Sequence, residues 1–142
     1  NTNHLGVWCD ECRNSVEGYR YKCIQCPDYD LCTVCEGRRF HADHYMLRMP
    51  APAFWCQHFG RSLARRLSNQ TDNICRINTS FSQNNADNMD HRGVSCDGCS
   101  VRIRGFRYKC IQCRDYDLCC DCEGKGVHGS HFMIRMPLPT NW

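Results

Sequence analysis

Twelve of the chain's 15 cysteines fall in CxxC pairs. Cys9/Cys12, Cys23/Cys26 and Cys32/Cys35 are followed by the pair His41/His44, with gaps of ten, five and five residues between pairs. Each pair sets two thiolate or imidazole donors on one tight turn, the arrangement a tetrahedral zinc takes from a chain, and four pairs complete two closed sites. Cys96/Cys99, Cys110/Cys113, Cys119/Cys122 and His128/His131 repeat the series without an insertion. The expected cofactor is Zn(2+), two ions per module and four per chain. Disulfides explain the pattern less well: the cysteine count is odd, no stretch reads as a signal peptide, and the histidine pairs would have no purpose.

Within a module the spacing allows two groupings. In a sequential one, the first four cysteines share one ion and the last pair joins the histidines. In an interleaved one, Cys9, Cys12, Cys32 and Cys35 hold one ion while Cys23, Cys26, His41 and His44 hold the other. Spacing leaves both open, although interleaving restrains more of a short chain. That restraint matters because modules of about fifty residues bury too little apolar surface to fold without a staple. A zinc with four protein ligands has no open position for water or substrate, and no Ser/His/Asp set, phosphate loop or acid/base pair stands out. No enzyme is expected.

The elements that must hold the ligands are short. Residues 18–22 (GYRYK) alternate and predict a half-buried strand running into the Cys23 turn, and residues 45–49 (YMLRM) predict a closing strand that Pro50 ends. Residues 30–37, opened by Asp30 and closed by Gly37, predict a short helix carrying Cys32 and Cys35 on its first turns. A shift of 87 residues superposes 6–50 on 93–137 and places matching strands at 105–109 and 132–136. The expected fold is a small zinc-stabilised α+β: modules over 5–50 and 92–137, each with a short β-sheet and one short helix, joined by a flexible linker over 51–91. Phe59, Leu63 and Leu67 suggest a short helix over 59–67 within that linker. Cys56, His58 and Cys75 are too irregularly spaced for a third metal site, and Cys120, beside Cys119, is expected to be a spectator.

Net charge is +3, divided as −1 over 1–50, +2 over 51–92 and +2 over 93–142. So thin a spread lacks the basic stripe of a phosphate-backbone binder, so nucleic acid is not an expected partner. No apolar run reaches membrane-spanning length, so a membrane is not one either. The chain begins at Asn1 and not at Met, as a piece of a larger protein would.

The series CxxC, ten residues, YKCxxCxDYDLCxxCEG and HxxH resembles the ZZ-type zinc finger over about forty residues in each copy. CPDYDLCTVCEG and CEGKGVH are most similar to fingers of the sequestosome type, from selective-autophagy receptors. The resemblance implies the interleaved, cross-braced grouping. In the second copy that puts Cys96, Cys99, Cys119 and Cys122 on one zinc and Cys110, Cys113, His128 and His131 on the other.

Acidic residues sit beside the ligand cysteines: Asp10, Asp28 and Asp30, then Asp97, Asp115 and Asp117. A zinc with four thiolates already carries a formal charge of about −2, so these acids make a negative surface suited to an ammonium or guanidinium group. A structural role is the alternative: Asp30 and Asp117 capping the helices, Asp28 and Asp115 pairing with Arg20, Lys22, Arg107 or Lys109. In sequestosome-type fingers the matching aspartates receive the free N-terminus and first side chain of an arginylated or basic N-degron. The resemblance therefore implies a protein-interaction module for positively charged peptide N-termini, working with cytoplasmic autophagy or ubiquitin machinery at autophagosomes or protein inclusions. A rival from another class is a ZZ scaffold that mediates domain packing in a larger ubiquitin-ligase or cytoskeletal protein. The chain departs from that family at one informative position, and there the copies differ. An Asn that helps hold the ligand in that family is Arg13 in the first module and Ser100 in the second. Arg13 opposes a cation whereas Ser100 keeps a hydrogen-bonding group, so the second module is expected to be the better receptor.

Overall fold

A computed structural model describes residues 3–51 and 88–139. The expected helix over 59–67 and Cys56, His58 and Cys75 lie outside the described residues. The first module runs β1 (Asn3–Trp8), β2 (Ser15–Glu17), β3 (Arg20–Cys23), β4 (Asp30–Cys32), α1 (Thr33–Gly37) and β5 (Met46–Met49). The second repeats it as β6 (Asp90–Ser95), β7 (Arg102–Arg104), β8 (Arg107–Cys110), β9 (Asp117–Leu118), α2 (Cys120–Gly124) and β10 (Met133–Met136).

Two features differ from the expectation. β1 pairs with β2 in an antiparallel hairpin, and β6 with β7, where alternation gives no warning because a register shift interrupts each pairing. Gly6 and Gly93, at φ 76° and 77°, take the left-handed conformation that such irregularities favour. The helices also begin later than Asp30 and Asp117 suggest. These aspartates belong to strands paired to β3 and β8, and Cys32 and Cys119 are the N-caps, with no side-chain cap hydrogen bond. The carboxylates are turned to basic residues of the neighbouring strand, so the helix-capping role falls away.

The two modules join in one six-stranded antiparallel sheet, ordered β4-β3-β5-β10-β8-β9. At its centre Leu47 faces Ile134, Met46 faces Arg135 and Arg48 faces Met133. Leu47 thus faces its own copy while Met46 and Arg48 face each other's, which places a pseudo-twofold axis through the Leu47/Ile134 pair, normal to the sheet. Tyr45, Leu47, Met49, Ile134 and Met136 cluster on one face, while Tyr21, Met46, Tyr108 and Met133 join the main core.

The basic positions of the central strands do not reach solvent. Arg48 and Arg135 are both fully buried, because each crosses the axis to the other module. Arg48 donates to the Glu123 carboxylate at 3.2 Å and to the carbonyls of His128 and His131 at 2.7 and 3.2 Å. Arg135 donates to Glu36 at 2.7 Å and to the carbonyls of Phe40, His41 and His44. Their guanidinium planes lie over the rings of Tyr19 and Phe106, and Tyr21 and Tyr108 donate to the same two glutamates at 2.6 and 2.8 Å. Burial pushes the Glu123 carboxyl up, while Tyr21 and Arg48 pull it back down.

The halves differ in a compensating way. A Cβ at Gly129 would collide with the Tyr19 hydroxyl; the equivalent residues in the other half are Ala42, which has a Cβ, and Phe106, which lacks the hydroxyl. Gly129→Ala is therefore expected to cost about 1–3 kcal/mol by overpacking. Tyr19→Phe in the same chain should recover part of that in a denaturant-unfolding double-mutant cycle, and strict additivity would contradict the contact.

Candidate metal centres and acidic cleft

The strand and helix ends bring the ligands together in the interleaved grouping: Cys9, Cys12, Cys32 and Cys35; Cys23, Cys26, His41 and His44; and their copies Cys96, Cys99, Cys119 and Cys122; Cys110, Cys113, His128 and His131. In each set the donor atoms lie within 4.8 Å of one another. A tetrahedral zinc with Zn–S of about 2.3 Å and Zn–N of about 2.0–2.1 Å sets S···S edges at about 3.8 Å and S···N edges at about 3.6 Å. The Cys12–Cys32 and Cys99–Cys119 sulfurs are 3.8 Å apart. Cys23 Sγ is 3.5 Å from His44 Nδ1, and Cys26 Sγ is 3.4 Å from His41 Nε2. The donor sets fit zinc, and the sequential grouping is excluded.

Backbone donors reach these sulfurs, although burial still pushes the Cys23 thiol up to about 11. Backbone N–H groups of Gln25 and Cys26 point at Cys23 Sγ, and those of Gln112 and Cys113 at Cys110 Sγ. Burial opposes ionisation of Cys9, but backbone N–H groups of Cys12, Cys32 and Glu11 outweigh it and bring the thiol down to about 7. Burial, then His44 and Arg135, lowers His41 to about 4, the neutral form a metal takes. Tyr29 and Tyr116 stack on the His41 and His128 rings with centroids 4.0 Å apart. Cys120 stands outside all four sets and meets the Phe106 carbonyl at 3.7 Å. With four protein ligands each, these are closed, structural sites.

The acids divide into two kinds. Asp30 and Asp117 are buried and bound by both oxygens, to Arg20 at 2.7 and 2.9 Å and to Arg107 at 2.7 and 3.0 Å, with Lys22 and Lys109 behind them. Asp28 and Asp115 have side chains that are 98% and 93% exposed, each with a buried lysine as its nearest cation, at 4.0 and 3.4 Å. Asp10 and Asp97 each use Oδ2 to accept the backbone N–H of Asp30 or Asp117 at 2.7 Å. Their remaining oxygens separate the modules. Asp10 Oδ1 faces Arg13 at 4.0 Å, whereas Asp97 Oδ1 has no partner among the described residues. Arg13 and Ser100 both stand at φ 62°, a left-handed position that suits Asn better than either residue.

In the second module Gly93, Val94, Ser95, Asp97, Arg107, Asp115 and Asp117 line one open cleft. It gathers all three acids that the sequence singles out there. Its walls, Gly93 to Ser95 and Arg107, have no sequence signature. Glu36 and Glu123 stand in the CEG of the motif and Arg48 and Arg135 in the closing strands, but nothing in those patterns marks them as partners; their identity in both copies is the signal that could have found them.

The family described as "Zinc finger, ZZ type" matches residues 3–46 and 90–133. Among curated proteins, autophagy receptor Nbr1 of Schizosaccharomyces pombe is 30% identical over 95% of this chain and 32% of its own length. Protein ref(2)P of Drosophila simulans is 52% identical over 33% of the chain, and the E3 ubiquitin-protein ligase Kcmf1 of Drosophila melanogaster 47% over 34%. The chain spans about a third of the length of the first relative and 8% of each of the other two. Among solved structures, the HERC2 ZZ domain in complex with the SUMO1 tail is 38% identical, over 38% of this chain and 97% of that one, with a TM-score of 0.37.

Proposed function

Since the chain belongs to the ZZ-type zinc-finger family, we propose that its two protein-interaction modules bind positively charged peptide N-termini of the Arg type, with the second module as the stronger receptor. The observation that carries this reading is the Asp97 carboxylate: one oxygen is fixed by the Asp117 N–H, the other has no partner among the described residues, and Asp115 shares its cleft. A peptide's α-ammonium supplies three donors and an arginine side chain five, which this acceptor-rich surface can take. Asp117 is occupied by Arg107 and Lys109, so it shapes the cleft, and direct contact falls to Asp97, Asp115 and Ser100. In the first module the matching contacts are Asp10 and Asp28, with Asp30 behind them, and Arg13 competes for Asp10.

The autophagy-receptor relatives favour a place in selective autophagy or ubiquitin-linked degradation in the cytoplasm; the scaffold alternative needs no open carboxylate. Calorimetric titration with an Arg-initiated peptide tests the site. Asp97→Asn keeps the acceptor for Asp117 N–H but removes the charge, and is expected to weaken binding at least tenfold, since a charge-assisted hydrogen bond contributes about 1.5–3 kcal/mol. Arg13→Asn should strengthen the first module and relieve its left-handed strain, of order 1 kcal/mol. Unchanged affinity in Asp97→Asn would refute the assignment.

A further inference from the structure

The central strands fix where the two acidic turns stand. Asp10 N–H donates to the Asp30 carbonyl at 2.9 Å while Asp30 N–H donates to Asp10 Oδ2, so the first turn lies along the outer edge of β4. Asp97 does the same on β9, with the backbone bond at 2.8 Å. β4 and β9 are the two edges of the six-stranded sheet. Five strand-to-strand steps of about 4.8 Å, plus the turns outside them, put the acids roughly 25–35 Å apart. The twofold axis is normal to the sheet and returns each face to itself, so both turns stand in the same relation to one face. The Arg48–Glu123 and Arg135–Glu36 pairs lock that arrangement from within.

We infer that the chain is a two-headed receptor whose partner presents two free cationic N-termini roughly 25–35 Å apart, as a twofold-symmetric protein dimer does; this rests on the reading of the acidic sites given above. The heads are unequal. Trp8, 62% exposed, stands where the second module has Ser95, and Arg13 where it has Ser100. A weak first head still contributes, because once the second is occupied its binding becomes intramolecular, at an effective concentration set by the fixed span.

The test uses the full chain and Arg-initiated peptides joined through their C-termini, so that both N-termini stay free. Polyproline spacers, at about 3.1 Å per residue, that set the two N-termini at most roughly 10 Å or roughly 30 Å apart are compared with the single-ended peptide. The longer spacer is expected to bind one chain at least tenfold more tightly than the single-ended peptide. The short spacer should show no gain, and Asp10→Asn or Asp97→Asn should each abolish it. Equal affinity of all three ligands, or one ligand bridging two chains, overturns the two-headed arrangement while leaving single-site recognition standing. No binding of the single-ended peptide overturns both.

Discussion

Arg135→Met is expected to lower the unfolding free energy by about 3–5 kcal/mol, the usual loss when one partner of a buried ion pair is removed. It leaves the Glu36 carboxylate in the core without its guanidinium, held by the Tyr108 hydroxyl, and it releases the carbonyls of Phe40, His41 and His44. Pseudo-symmetry predicts a comparable loss for Arg48→Met, which strands Glu123 and the carbonyls of His128 and His131. The cost comes from the unpaired charge more than from the lost attraction, so Glu36→Gln in the Arg135→Met background should restore part of it. Urea unfolding of the zinc-loaded chain reads all of these. A loss below about 1 kcal/mol for Arg135→Met, the scale of an exposed pair, would mean that the crossing arginines are not buried as described.

The second large effect is that damage to one module's metal site reaches the other. Cys110→Ser removes a thiolate from the set that includes His128 and His131, whose carbonyls receive Arg48 from across the axis. β10, carried by the same segment, is also the hydrogen-bonding partner of β5. Loosening that segment therefore frees both an interior charge and a sheet edge in the intact module. Amide exchange in β3 and β5 is expected to accelerate at least tenfold in Cys110→Ser, an opening cost lowered by about 1.4 kcal/mol or more. Unchanged protection in the first module, together with loss in the second, would show that the modules fold independently.

The metal frame was legible because its signal is local: donor types and gaps recur in the sequence, and the geometry adds only the choice of the interleaved grouping. The core strands were readable for a similar reason, since GYRYK and YMLRM alternate. The hairpins were not, because the register shifts near Gly6 and Gly93 break the alternation that would announce them. The joining of the modules was hidden more deeply. Arg48 and Arg135 look like the solvent side of a half-buried strand, and only their partners 75 and 99 residues away make them interior groups. The acids were found, but their roles were not separable. Whether an aspartate faces a buried arginine, as Asp30 and Asp117 do, or open space, as Asp97 does, depends on pairings that spacing does not encode.

If these carboxylates serve a free, positively charged N-terminus, blocking that amine removes the contact they make. Calorimetric titration of the zinc-loaded chain should show binding of an Arg-initiated peptide and at least a tenfold loss when its α-amino group is acetylated, since a charge-assisted contact of about 1.5–3 kcal/mol is removed. Equal affinity for the free and acetylated peptides would contradict the account and leave the fingers as a scaffold.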